Sequence, residues 1–149
     1  MNESASPASG SSRGCGSDAQ QAAVLVVEDN VSNFHLVARM LEALGMHCEW
    51  KTSGFEVLEY AQALPRVDLI LMDIRLPYES GFEAGAKLLK SERFRSVPIV
   101  AVSAVVSRDE MEKARAAGFH GFLGKPLDPD RFPQQIRRVL AGEQVWELA

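Results

Sequence analysis

Five polar residues stand directly behind apolar runs of the sequence. Glu28 and Asp29 follow AAVLVV, Asp73 follows LILM, Ser103 closes PIVAVS, and Lys125 follows GFLG. Singly, each has an ordinary explanation as a helix cap, a turn former or a surface charge. At the ends of four separate apolar runs they point to one shared site. Three carboxylates brought together repel, and each raises the others' pKa unless a cation neutralises them. A set of oxygen ligands of this kind suits Mg²⁺, which keeps several waters and takes one or two carboxylates plus phosphate oxygens. The lysine adds a compact positive charge that can pair with a carboxylate or a phosphoryl group. These are the parts phosphoryl transfer needs, because its transition state spreads negative charge over the equatorial oxygens. Asp73 is the candidate nucleophile, Lys125 and the cation the charge stabilisers, and Ser103 the hydrogen-bond donor to the transferred group.

Positioning such a set requires strands that end together. Ala22–Val27, Asp68–Met72 and Pro98–Ser103 are nearly continuous apolar runs, as expected of strands covered on both faces. His47–Lys51 and Phe119–Leu123 are shorter candidate strands. Helical patterns lie between them. Val31, Phe34, Val37, Leu41 and Leu44 form one stripe closed by Gly45, a second helix runs from after Ser53 to about residue 64, and a third follows Gly81 to about residue 92. Ser107 with Glu110 forms a capping-box pattern for a helix that stops at Gly118. Asp128-Pro129 predicts the start of the last helix, with Phe132, Ile136, Val139 and Leu140 turned inward. Alternating strands and helices of this length predict an α/β fold, a doubly wound parallel sheet of five strands with helices on both faces. In such a fold ligands bind beyond the carboxyl ends of the strands. The five polar residues occupy that edge.

Composition narrows the rest. The 149 residues suit one domain, and a hydrophobic content of 46% with 24% charged residues supports a packed core. A net charge of −4 argues against nucleic-acid or anionic-membrane binding. No apolar stretch approaches the roughly 18 residues of a membrane span, and no secretion signal pattern opens the chain. Cys15 lies in a polar segment and Cys48 in a predicted strand, so both are read as free thiols in a reducing cytoplasm. Residues 1–21 are rich in Ser, Gly and Ala and predict a disordered tail. Residues 22–141 are expected to form the domain and 142–149 a C-terminal extension, in which Trp146 and Leu148 are expected to dock on the domain, with docking on a partner as the alternative.

The segments VLVVEDN, DLILMDIRLP, PIVAVSA and GFLGKPL, in this order, resemble the receiver domain of two-component response regulators over about residues 22–141. The intervals of 44 residues from Asp29 to Asp73, 30 to Ser103 and 22 to Lys125 match the family's usual ones. The resemblance implies the flavodoxin-like (βα)5 receiver fold, with Asp73 as phosphoacceptor, Asp29 as a direct Mg²⁺ ligand and Glu28 as its neighbour acting through water. It implies that the Arg75 backbone carbonyl completes the metal shell, that Ser103 is the switch hydroxyl, and that Phe122 is the aromatic switch residue. The Lys125-Pro126 bond is often cis in that family. On activation Ser103 would move toward the phosphoryl group and Phe122 would turn inward. Reversing a 1:99 equilibrium takes about 5.5 kcal/mol, close to what two charge-assisted hydrogen bonds of roughly 1.5–3 kcal/mol each provide.

The implied partners are a histidine kinase or histidine phosphotransfer protein, which donates the phosphoryl group, and a downstream protein target; a phosphorylation-dependent homodimer is compatible with the same reading. Beyond the last predicted helix too few residues remain for a DNA-binding or enzymatic effector, so the expectation is a single-domain regulator rather than an enzyme. It would work by phosphorylation-dependent binding or phosphorelay, with a phosphorylation-independent binding module as the alternative. Two rival classes fit less well. A Mg²⁺-dependent phosphatase with an aspartate nucleophile would carry a second acid where Arg75 stands, and a flavin carrier would need a phosphate-cradling loop where Glu28-Asp29 would repel phosphate. Two departures from the family pattern stand out. Ser80 replaces a common acidic residue before Gly81, and the apolar Val105 cannot orient a hydrolytic water, which predicts slow phosphoryl loss.

Overall fold

The computed structural model describes residues 21–147. The readings of residues 1–20 as a tail, of Cys15 as a free thiol and of Leu148 as a docking residue fall outside these. The described chain alternates strand and helix throughout: β1 (Ala23–Val27), α1 (Val31–Ala43), β2 (His47–Lys51), α2 (Val57–Gln62), β3 (Leu69–Asp73), α3 (Gly81–Lys90), β4 (Ile99–Ser103), α4 (Arg108–Ala116), β5 (Gly121–Gly124), α5 (Phe132–Leu140) and β6 (Val145–Glu147). All strand pairs are parallel, in the order β2-β1-β3-β4-β5-β6.

Period-two alternation along the central strands supplies two cores. Leu25, Val27, Ile70, Met72, Ile99 and Ala101 face α2, α3 and α4. Val24, Val26, Leu69, Leu71, Val100 and Val102 face the apolar stripes of α1 and α5. Burial on both faces explains why β1, β3 and β4 contain no polar residue before their last positions.

Three boundaries differ from the sequence-based expectations. Glu56 adopts a left-handed φ of 55° and offers no side-chain cap, so α2 begins only at Val57. Asp128 does not cap α5. Its carbonyl accepts from the Arg131 and Phe132 N–H groups, closing a turn, and α5 begins at Phe132 with Pro133 in its first turn. The sheet also has six strands instead of five. The extension docks as expected of Trp146, but does so as β6, with Val145 to Glu147 in register with Gly121 to Leu123. A β-carbon on Gly121 would stand 2.6 Å from the Val145 carbonyl oxygen, so glycine at this position lets the sixth strand approach.

Candidate functional site

Chain order reverses across β1, which lies between β2 and β3. The crevice at such a switch point, beyond the strand ends, is the natural site of this architecture. Glu28 extends β1 by one residue, its N–H donating to the Lys51 carbonyl at 3.0 Å. Asp73 is the last residue of β3, paired with Val102 of β4. Ser103 closes β4 opposite Gly124 of β5, and the Lys125 N–H continues that ladder by donating to the Ser103 carbonyl at 2.8 Å.

Glu28 and Asp73 are 3% and 4% exposed, whereas Asp29 opens to solvent. One oxygen from each of the three carboxylates lies within 4.8 Å of the others, a spacing that could hold a small divalent cation. Lys125, just after β5, joins these carboxylates. Its ammonium donates to Glu28 Oε1 at 2.8 Å and to Asp73 Oδ2 at 3.1 Å. Burial pulls the lysine pKa down, but the hydrogen bonds and charges of Glu28 and Asp73 outweigh it and hold the pKa above the ordinary lysine value. Three carboxylates against one ammonium still leave the cluster negative, and the donor set is oxygen only. Both features fit Mg²⁺.

Asp73 is further held by its own loop, its Oδ1 accepting the Arg75 N–H at 3.0 Å. Arg75 therefore reaches the site through its backbone, while its side chain is exposed. Ser80 caps α3 and forms a full capping box with Glu83, a pattern legible in Ser80-x-x-Glu83 but overlooked in the sequence. A cleft of about 320 Å³ between α1 and the loop after β5 opens onto the site, with Val26, Leu36 and Leu127 on its apolar side and Glu28, Asp73 and Lys125 on its polar side.

Ser103 and Phe122 adopt conformations that the sequence does not encode by pattern. The Ser103 hydroxyl is fully buried and turned to its own loop, accepting the Val105 N–H at 3.1 Å and donating to the Val105 carbonyl at 3.3 Å. It does not reach Asp73. Phe122 is already fully buried, packed in the core beneath α4, so the inward turn expected of it has no outward starting point here. The Lys125-Pro126 bond is cis. Among the described residues no helix is long and apolar enough to cross a membrane.

Fold and site together define an α/β module with an acidic, cation-compatible cluster and a lysine at its switch point. Residues 24–137 match the family model of the response regulator receiver domain, and the chain belongs to that family. It is 37% identical over 117 residues to the polar-differentiation response regulator DivK of Brucella ovis, a match spanning 78% of this chain and 94% of the relative. The fold superposes on the chemotaxis protein CheY4 of Vibrio cholerae with a TM-score of 0.75 at 29% identity, covering 80% of this chain and 98% of that one. The receiver domain of the sensor histidine kinase PA1611 of Pseudomonas aeruginosa, a structure with a magnesium ion coordinated in its active-site cleft, superposes with a TM-score of 0.73 at 32% identity. That match covers 83% of this chain and 99% of the other.

Proposed function

We propose that this chain is a single-domain response regulator that accepts a phosphoryl group on Asp73 and signals by phosphorylation-dependent protein binding or by passing the group along a relay. The observation that carries the reading is the placement of Lys125, whose ammonium bridges Glu28 and Asp73 within a cluster that also contains Asp29. A carboxylate so held presents its oxygen to an incoming phosphorus with the countercharge already in place, which is the electrostatic preorganisation phosphoryl transfer requires.

In the proposed step an Asp73 carboxylate oxygen forms the new bond to phosphorus. The P–N bond to the imidazole of a kinase or phosphotransfer protein breaks, and the imidazole leaves with the bonding electron pair and takes up a proton. Glu28, Asp29, Asp73 and the Arg75 carbonyl would hold Mg²⁺, which would supply charge neutralisation for the carboxylates and the incoming group. The Arg75 N–H orients Asp73, and Lys125 transfers its hydrogen bond from the carboxylate to a phosphoryl oxygen. Ser103 leaves Val105 and donates to a second phosphoryl oxygen. Because Phe122 starts buried, the readout lies in how the core around it repacks when the Ser103 loop moves, with α4, β5 and α5 as the altered surface. On this reading the partners are a phosphodonor protein and a downstream protein target, and the place of action is the cytoplasm, where a phosphodonor kinase would present its phosphohistidine.

Incubation with acetyl phosphate and Mg²⁺, read by intact mass and phosphate-affinity gel beside Asp73→Asn, tests the reading. One Mg²⁺-dependent, hydroxylamine-labile phosphate that is absent from the variant is the expected result. A phosphate retained by the variant would overturn the assignment of Asp73. Failure of the wild type to take up phosphate and also to bind beryllofluoride would leave a module that works by binding alone.

A further inference from the structure

We propose that Trp50 is a positioning residue for the cation and phosphoryl site, acting through the backbone of Glu28. The inference rests on the reading of Glu28 and Asp29 as cation-holding residues. The last ladder pair between β1 and β2 is Val27 with Lys51, after which β2 ends. The Glu28 carbonyl therefore points past the end of the strand that should supply its donor. A buried backbone carbonyl without a partner is costly, and here a side chain fills the place. The Trp50 indole Nε1–H donates to the Glu28 carbonyl at 2.7 Å.

The indole is itself rigidly held. Its ring stacks on Phe34 of α1 with centroids 4.2 Å apart and planes only 4° from parallel. The Trp50 backbone carbonyl accepts the Tyr60 hydroxyl of α2 at 3.0 Å. Contacts from α1 on the ring and from α2 on the backbone thus hold this one residue, and its side chain ends on the peptide between the two acids. A peptide unit is planar, so fixing the Glu28 C=O also fixes the Asp29 N–H and the direction in which the Asp29 α-carbon leaves. The far end of the acid pair is tied as well, since the Asn30 N–H donates to Glu28 Oε2 at 3.1 Å and Asn30 caps α1.

Asp29 depends on that backbone more than its neighbours do. Glu28 and Asp73 are steered by Lys125, but Asp29 has no hydrogen bond or ion pair from any described residue. Its carboxylate is aimed by the peptide alone. Filling space does not explain a tryptophan here, because a phenylalanine could stack on Phe34 equally well. What only the indole adds is the N–H.

Trp50→Phe keeps the stack and removes the donor. Mg²⁺ affinity measured by calorimetry is expected to fall roughly tenfold, the scale on which outer partners of metal ligands act, beside a modest drop of the melting temperature in EDTA from the hydrogen bond lost at the Glu28 carbonyl. β-(3-benzothienyl)alanine at position 50, which retains the ring shape but has no N–H, should reproduce the loss and serves where the phenylalanine variant folds poorly. Wild-type Mg²⁺ affinity in the benzothienyl protein would overturn the role of Trp50 and leave the site reading intact. A wild-type protein that binds no Mg²⁺ would overturn both.

Discussion

Gly81 opens α3 so close to the end of β3 that a β-carbon on it would stand 2.3 Å from the carbonyl oxygen of Asp73 and 2.8 Å from the α-carbon of Ile74. The Gly81 N–H donates to the Ile74 carbonyl at 2.9 Å, pinning the loop on itself. Both clashing atoms are backbone, so no flexible side chain can move aside. Gly81→Ala must therefore shift either the helix start or Asp73. We expect a loss of about 1–3 kcal/mol in urea unfolding, the usual cost of overpacking, together with reduced phosphate uptake from acetyl phosphate. A variant that loses neither would show that the loop relaxes freely and that the contact does not hold Asp73.

Lys125 separates two buried carboxylates, and its removal leaves them facing each other. Lys125→Met should lower stability in EDTA by about 1–3 kcal/mol. Added Mg²⁺ should narrow the gap, because the cation replaces part of the missing charge. Phosphate uptake should fall in both conditions. The folded-state pKa of this lysine lies above its ordinary value of 10.5, so its contribution is fully present below that pH and is lost as pH rises through the folded value. Equal stability of wild type and variant in EDTA near neutral pH would contradict this account.

Val105 is 40% exposed in the loop after β4, where its N–H donates to the Ser103 hydroxyl. Its side chain can neither accept from nor donate to a water aimed at phosphorus. A carboxylate at this position could do so as a general base. Val105→Glu is expected to shorten the phospho-Asp73 lifetime several-fold, followed by loss of the phosphorylated mass after donor removal. A wild-type lifetime shorter than that of the variant would be the contrary result.

Much of this site was readable because chemistry and burial coincide at strand ends. β1, β3 and β4 are apolar until their last residues, so the first polar residue after each run marks the sheet edge, and Glu28, Asp73, Ser103 and Lys125 follow directly. β6 left no such mark. Val-Trp-Glu is three residues long and lies on an edge, and its signal is the close approach at Gly121 and the pairing of Glu147 with Arg131 and Arg138, both tertiary. The start of α5 was misplaced because Asp128-Pro129 and Arg131–Pro133 both offer a proline near a helix start, and only the backbone bonds to Asp128 decide between them. The indole on Glu28 joins residues 22 positions apart, beyond any local pattern. The Ser103 hydroxyl direction and the burial of Phe122 are conformational choices on which residue type is silent.

The sixth strand has an energetic consequence of its own. Val145 is buried against the edge of β5, Trp146 packs beside the core with its ring 4.3 Å from the Arg115 guanidinium, and Glu147 accepts from Gln135. A chain ending at Gln144 should lose about 2–4 kcal/mol, chiefly from the apolar burial of Val145 and Trp146, since the exposed ion pairs add little. Urea unfolding measures it, and Gly121→Ala should produce a similar loss by crowding Val145 from the other side.

His120 provides a pH-dependent test at the other end of the same strands. Its Nδ1 accepts the Ile99 N–H at 3.2 Å, which requires that nitrogen to be unprotonated. Burial also holds the imidazole below its ordinary pKa of 6.5. The sign follows from where the proton binds first. Below about pH 6.5 the unfolded chain takes up a proton that the folded chain resists, so this contribution is present above that pH and is lost as pH falls through the folded value. His120→Asn keeps an acceptor for Ile99 but cannot titrate. The difference in unfolding free energy between wild type and this variant should be constant above pH 7 and should move against the wild type between pH 6.5 and 5. A difference that stays flat across that window would mean that the Ile99 bond adapts to a protonated ring.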